Sequence, residues 1–153
     1  MLIRRALLND WEDICELDRV GWQQNRIGEF IPDGEHVWRL WIEYAFVAVA
    51  VEDGKLVGFL LAFPTIEPEL YFLHKLLISA YCRGKLLGSQ LMSFCDDFAD
   101  KHILTLRLTT DTNNSRMQHL AARSGYAEQS LVKGYYRADE HRLVLTRFPN
   151  SSS

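Results

Sequence analysis

The sequence predicts a mixed α/β domain, six to seven mostly antiparallel strands with helices on both faces. Three observations carry this. Two apolar runs, residues 45–51 and 55–63, flank Asp53-Gly54, a primed-turn pair, and so form a hairpin. Residues 70–98, LYFLHKLLISAYCRGKLLGSQLMSFCDDF, read as strand, glycine-bearing turn and helix. Residues 103–110 then alternate Leu104, Leu106 and Leu108 against Thr105, Arg107 and Thr109, the period of a half-buried strand.

Taken in order, residues 2–7 are a short strand. Asn9 and Glu12 have the spacing of a capping box, opening a helix whose apolar side is Trp11, Ile14 and Leu17 and which fades near Gly21. Residues 21–34, GWQQNRIGEFIPDG, read as a loop. A second helix places Val37, Leu40, Trp41 and Tyr44 at helical spacing. Trp22, Phe30, Trp38 and Trp41 are read mainly as core, with one or two lining a pocket. The hairpin follows, and Pro64 and Pro68 frame a loop before the strand 70–78. The next helix carries Leu87, Leu91, Phe94 and Phe98 on one stripe, to about Lys101. After the strand 103–110, Asn113, Asn114 or Ser115 caps a short helix bearing Met117, Leu120 and Ala121, and Gly125 ends it. Residues 126–136 and 141–148 are the last strands, and PNSSS is a disordered tail. The order is β-α-α-β-β-β-α-β-α-β-β in one domain, residues 1–148.

The 153 residues suffice for one core, and a net charge of −3 gives no support to nucleic-acid binding. Three cysteines, Cys15, Cys82 and Cys95, make neither a disulfide framework nor a metal site, and a cytoplasmic location is expected. The N-terminus lacks a long apolar segment, and no run is long enough to span a bilayer, so no membrane association is expected.

The turn between strand and helix is the chemical signal. Gly84 and Gly88 sit where a helix begins, and a helix start offers unpaired N–H groups and the positive end of a dipole. Arg83 and Lys85 add charge, so the stretch reads as a phosphate site. A P-loop is excluded because GxxxxGK[ST] needs a lysine after the second glycine and Gly88 is followed directly by Ser89, and a dinucleotide fold because GxGxxG near the first strand is missing.

The element order and the turn Arg83-Gly84-Lys85-Leu86-Leu87-Gly88, after a strand ending at Ile78, resemble the GNAT superfamily of N-acetyltransferases. Arg83 and Gly88 match that family's Gln/Arg-x-x-Gly-x-Gly/Ala pattern, while Leu86 replaces a glycine. A late patch agrees: Asn114, Leu120, Gly125 and Tyr126 fall in register with Asn-x-x-Ala-x-x-Leu-Tyr-x-x-x-Gly-Phe. Met117 replaces its alanine and Ala121 its tyrosine.

The resemblance implies acetyl-CoA as co-substrate and direct attack by an amine. Residues 83–89 (Arg83, Gly84, Lys85, Leu86, Leu87, Gly88, Ser89) would hold the pyrophosphate. Leu76, Leu77 and Ile78 would hold the pantetheine and thioester, and Asn114 would bond the pantetheine amides or simply cap its helix. Lys85 reads equally as a solvated lysine. General-base candidates are His74, Glu67, Glu69 and Asp111. His74 reads either as that base or as a locally bonded polar residue, and Asp111 as a loop cap. With Ala121 at the tyrosine position, Tyr136, Tyr135, Tyr126 or Tyr81 would protonate the thiolate. His119, roughly 200° around the helix from Ala121, would not. The expected acceptor is a small-molecule amine, its cationic form drawn by Glu29, Asp33, Glu35, Glu67 and Glu69. The alternatives are a protein N-terminus or lysine, and a non-catalytic acyl-CoA sensor. In this family the last strands often pair copies, so a homodimer through Tyr135, Tyr136 and Phe148 is a further expectation.

Overall fold

The computed structural model describes residues 1–24, 33–82, 84 and 86–150. Its elements are β1 (Leu2–Arg5), a 3-10 turn (Leu8–Asp10), α1 (Trp11–Gln24), α2 (Glu35–Tyr44), β2 (Phe46–Glu52), β3 (Lys55–Pro64), β4 (Leu70–Ile78), a second 3-10 turn (Ala80–Cys82), α3 (Leu87–Lys101), β5 (Thr105–Asp111), α4 (Ser115–Arg123), β6 (Glu128–Val132) and β7 (Arg142–Arg147). The order is the expected one. Seven strands form a single sheet in the order β1-β2-β3-β4-β5-β7-β6. Every pairing is antiparallel except β4 with β5.

Each face of the sheet has its own core. On one face Phe46, Ala48, Leu60, Ala62 and Leu73 pack under Leu91, Met92, Cys95 and Ala99 of α3, together with Leu106, Leu108 and Ala121. On the other, Val47, Val49, Phe59 and Leu61 pack under Ile14 of α1 and Trp38 and Ile42 of α2. β2 and β3 lie between the two, which is why both are apolar on both sides.

The Asp53-Gly54 turn has positive φ at both residues, 51° and 75°, as a primed two-residue turn requires. Elsewhere local chemistry shifts the expected boundaries. The Asn9/Glu12 box is not used. Asp10 accepts from the Leu7 amide at 2.7 Å and is held by Arg4 through bonds of 2.7 and 3.1 Å. α1 continues through Gly21 to Gln24 because Gly21 packs on Leu77, where a Cβ would lie 2.5 Å from Leu77 Cδ2. α2 buries Trp38 and Ile42 rather than Leu40 and Tyr44, which are exposed. β5 starts at Thr105 because Ile103 takes a left-handed φ of 55° and is exposed. Asn150 is tied down by its amide, which donates to Asp100 at 2.9 Å.

One irregularity in β4 organises the rest. Leu61 pairs with Lys75 but Ala62 pairs with Leu73, so His74 is an extra residue, a β-bulge. Tyr71 and Leu73 face α3, and so do Leu76 and Ile78, whereas Phe72 and Leu77 face α1 and α2. The bulge absorbs the phase change and puts His74 and Lys75 on the α1/α2 face together. Pairing with β5 stops at the same point. It comprises only Leu70 with Thr105, Tyr71 with Leu106 and Phe72 with Arg107. Beyond it β4 stays with β3 while β5 stays with β7 to Asp111, and the two strands part.

Among the described residues no helix is long and apolar enough to cross a membrane. No cluster that could hold a metal ion occurs among them either, and the three cysteines are free and buried.

Candidate active site

The parting of β4 and β5 opens a gap with a cavity on either side. The first, about 480 Å³, is lined by Leu76, Leu77 and Ile78 of β4, by Gly84, Leu86, Leu87, Gly88 and Ser89, and by Asn114, Met117 and Leu120 near and in α4. The second, about 450 Å³, lies toward α1 and is lined by Asp18, Trp22, His74, Lys75, Thr109 and Arg142. Leu76, Leu77, Asn114 and Met117 line both, so the cavities meet at the gap.

The first cavity forms a cradle at the start of α3. Gly84 has φ +88° and open space where a Cβ would be. Leu86, the residue before α3, has φ 61° and ψ 18°, the left-handed conformation that favours glycine. This explains why a glycine pattern was expected there and what the leucine replaces. Its side chain is exposed and provides no cap, so the first amides of α3 keep their donors for a ligand. At Gly88 a Cβ would sit in ordinary van der Waals contact with Leu120 Cδ2 at 3.4 Å and Leu76 Cδ2 at 3.9 Å, so the glycine keeps this part of the cavity wall low. Arg116 and Arg123, seven residues apart on one face of α4, also line this cavity and supply positive charge that the sequence reading missed. Arg83 and Lys85 lie outside the described residues. The cradle, its cations and the unpaired edge of β4 fit a phosphate-bearing molecule with an extended amide arm.

The second cavity is polar on its α1 side. Lys75 Nζ lies 2.8 Å from Asp18 Oδ1 and 2.6 Å from Asp33 Oδ2. Asp18 Oδ2 accepts from Trp38 Nε1 at 3.1 Å. His74 Nε2 lies 3.5 Å from the same Asp33 oxygen, and its ring centroid lies 5.7 Å from that of Trp41 and 5.8 Å from that of Phe63. Burial works to raise the Asp33 carboxyl, but its bonds from His74 and Lys75 outweigh this and hold it below the usual range.

The other expected residues separate clearly. Glu69 is exposed at the opposite end of β4, about 26 Å from Leu77 by strand rise, and is not part of either cavity. Glu67 stands in the same β3–β4 turn, and Glu35 at the start of α2 is also outside the cavities. Glu29 and Phe30 lie outside the described residues. Asp111 Oδ1 accepts from the Asn113 amide at 2.8 Å, a loop cap. Asn114 Oδ1 caps α4 through the Met117 amide at 3.1 Å while lining both cavities. Tyr126 is buried beneath α3, where desolvation pushes its hydroxyl well up, and Tyr81 is exposed. Tyr136 is exposed and does not line the cavity, but its ring lies 5.2 Å from the Arg142 guanidinium carbon. Asp18, Lys75 and Arg142 were missed because they come from three elements that only the fold brings together.

Known proteins share this fold. The model of the Acetyltransferase (GNAT) family matches residues 9–126, more than three-quarters of the chain. The uncharacterized N-acetyltransferase YhfO of Bacillus subtilis (strain 168) is 28% identical over 89 residues, 55% of this chain and 60% of that protein. The chain thus spans less than two thirds of that relative's length. Among solved structures, aminoglycoside 6'-acetyltransferase type Ii superposes with a TM-score of 0.82 at 18% identity, covering 100% of both chains. The ribosomal-protein-S18-alanine N-acetyltransferase of Escherichia coli gives 0.80 at 16% identity, covering 99% of this chain and 96% of that one. At these identities the likeness is one of fold. The chain belongs to the GNAT acetyltransferase family.

Proposed function

We propose that the protein transfers an acetyl group from acetyl-CoA to a primary amine of a small molecule. The observation that carries this is the gap between β4 and β5 after Phe72 and Arg107, with an anion cradle on one side and a polar cavity on the other. A CoA pyrophosphate fits the cradle of Gly84, Gly88, Ser89, Arg116 and Arg123. Its pantetheine arm fits the free edge of β4 along residues 73–78. Acetyl-CoA supplies the activated acyl group.

The amine nitrogen attacks the thioester carbon, the C–N bond forms and the C–S bond breaks. A free alkylammonium titrates near about 10.4, so the nitrogen must first lose a proton. His74, in the acceptor cavity and beside Asp33, takes it directly or through a water. Backbone N–H groups near Leu77 and Ile78 stabilise the developing oxyanion, a contribution of roughly 3 kcal/mol for one well-placed donor. After attack the nitrogen gives its second proton to solvent, and the departing thiolate, of pKa about 8.5, takes one from solvent, so no placed acid is needed where Ala121 stands. This reading gives Glu69 and Tyr136 no part in proton transfer.

The acceptor cavity of about 450 Å³ favours a small amine over a protein chain. β6, an exposed edge strand, is where a second copy would pair.

The test is thiol release from acetyl-CoA across an amine panel, with calorimetry of acetyl-CoA binding to the wild-type protein and to Gly88→Glu. Turnover with small amines, and loss of binding in the variant while circular dichroism stays native, are expected. Acetyl-CoA binding without turnover of any amine would make the protein a sensor. Full affinity in Gly88→Glu would show that the cradle is misplaced.

A further inference from the structure

We infer that Arg142 recognises an anionic group on the acceptor, so that the amine acetylated is amino-acid-like, carrying a carboxylate. This rests on the acetyltransferase reading above and names its substrate class.

Arg142 opens β7 and lines the acceptor cavity but not the cofactor cavity. Leu143 and Leu145 face the α3 core, so Arg142 projects from the opposite face, the one that carries His74 and Lys75. Its cross-strand neighbour on one side is Asp111. An ion pair there would be the ordinary outcome, but Asp111 Oδ1 is engaged by the Asn113 amide. Val132 is the neighbour on the other side. Among the described residues no carboxylate lies within ion-pair distance of Arg142. Instead its guanidinium lies over the Tyr136 ring, 5.2 Å from the centroid. That contact holds the planar fork in place and leaves its N–H donors unspent.

The other charges in the cavity are balanced differently. Lys75 is held between Asp18 and Asp33, at 2.8 and 2.6 Å. Among the described residues Arg142 is thus a cation with no paired carboxylate, on a cavity that in this reading must also admit an amine. A bare cationic amine gains nothing from it. A molecule with an amino group directed at His74 and a carboxylate at Arg142 satisfies both ends, and a bidentate Arg–carboxylate pair fixes its orientation. This reverses the sequence-based expectation of an acid-lined pocket for a cation. Of the acids named for it among the described residues, Glu35, Glu67 and Glu69 are not on the cavity, and Asp33 is already bonded to Lys75 and His74.

The test compares amino acids with their carboxamides as acceptors, using wild-type protein, Arg142→Gln and Arg142→Lys. The wild-type kcat/KM should favour the acids by about ten- to hundredfold. Arg142→Gln should erase that preference without changing the KM for acetyl-CoA, and Arg142→Lys should keep part of it. Calorimetry of N-acetylated amino acids and their amides on the CoA-saturated protein reads the same preference without turnover. Equal rates for acid and amide in the wild-type protein overturn the inference and leave the acetyltransferase reading standing. So does a preference that survives in Arg142→Gln. Arg142-dependent binding of the acids with no turnover of any amine sinks the acetyltransferase reading instead and keeps the anion site. Neither binding nor turnover sinks both.

Discussion

His74 and Lys75 are consecutive in the chain, yet both side chains reach the same carboxylate oxygen, Asp33 Oδ2, at 3.5 and 2.6 Å. In a regular strand they would point to opposite faces. The bulge at His74 brings them together, so the irregularity that coincides with the end of pairing with β5 also builds the polar wall of the second cavity.

His74→Gln should lower kcat roughly hundredfold or more while leaving acetyl-CoA affinity unchanged, the pattern of a lost general base. Asp33→Asn should lower kcat less, because it removes a neighbour of the base and not the base. Steady-state kinetics with one saturating amine decide this. A change confined to KM would make His74 a binding residue.

Leu86→Gly should tighten acetyl-CoA binding severalfold. The left-handed backbone at φ 61° costs a non-glycine residue about 1–2 kcal/mol, and a glycine there also lets a phosphate approach more closely. Glycine gives back about 0.5–1 kcal/mol through unfolded-state entropy, so the urea midpoint should rise only slightly. Calorimetry reads the affinity. Weaker binding in the variant would mean that the leucine side chain itself touches the cofactor.

Asp96 gives a pH-dependent stability of defined sign. Burial pushes its carboxyl up to about 6, from 3.8, against the opposing effects of Ser124 and Arg147. Between those two values the folded protein keeps a proton that the unfolded chain has lost. Stability therefore falls as pH rises from about 4 to about 6 and levels off above. Asp96→Asn should remove the slope, so its stability relative to wild type should grow by up to about 3 kcal/mol across that window. Urea denaturation at several pH values measures it, and a gap that stays constant with pH would contradict it.

Arg147 joins three elements. It bonds Asp100 of α3 through both nitrogens at 2.9 and 3.0 Å, and its Nε donates to the Ser124 carbonyl at 2.9 Å, at the end of α4. The side chain is almost wholly buried. Arg147→Met should cost about 3 kcal/mol or more, because Asp96 and Asp100 lose their counter-charge. A smaller loss in denaturant unfolding would show that the carboxylates find water instead.

How far these features could be read in advance follows from their range. Asp53-Gly54, the leucine alternation of β5 and the stripe Leu87, Leu91, Phe94, Phe98 are local patterns, and each marked its element. The turn before α3 was legible as a glycine-bearing helix start because backbone geometry and glycine spacing are written in consecutive positions. The acceptor side was not. Asp18, Lys75 and Arg142 lie on α1, β4 and β7, and no spacing relates them. The bulge also hid itself, since His74-Lys75 inside an apolar run looks like an interrupted alternation. Tertiary packing likewise overrode the expected stop of α1 at Gly21, where contact with Leu77 replaces a helix end.

The short seam between β4 and β5 gives the cofactor a second role. Among the described residues three residue pairs make the strand-to-strand connection between β1–β4 and β5–β7. A pantetheine arm laid along the open edge of β4 would close the wedge where the strands diverge and act as a staple between two half-sheets. Binding would then stiffen the molecule as well as supply the acyl group. At a hundredfold excess over its dissociation constant, a ligand that binds only the folded state adds about 2.7 kcal/mol of stability. On this reading the donor would help to complete the sheet that positions it, and release of CoA would leave the two halves joined through the short β4–β5 seam.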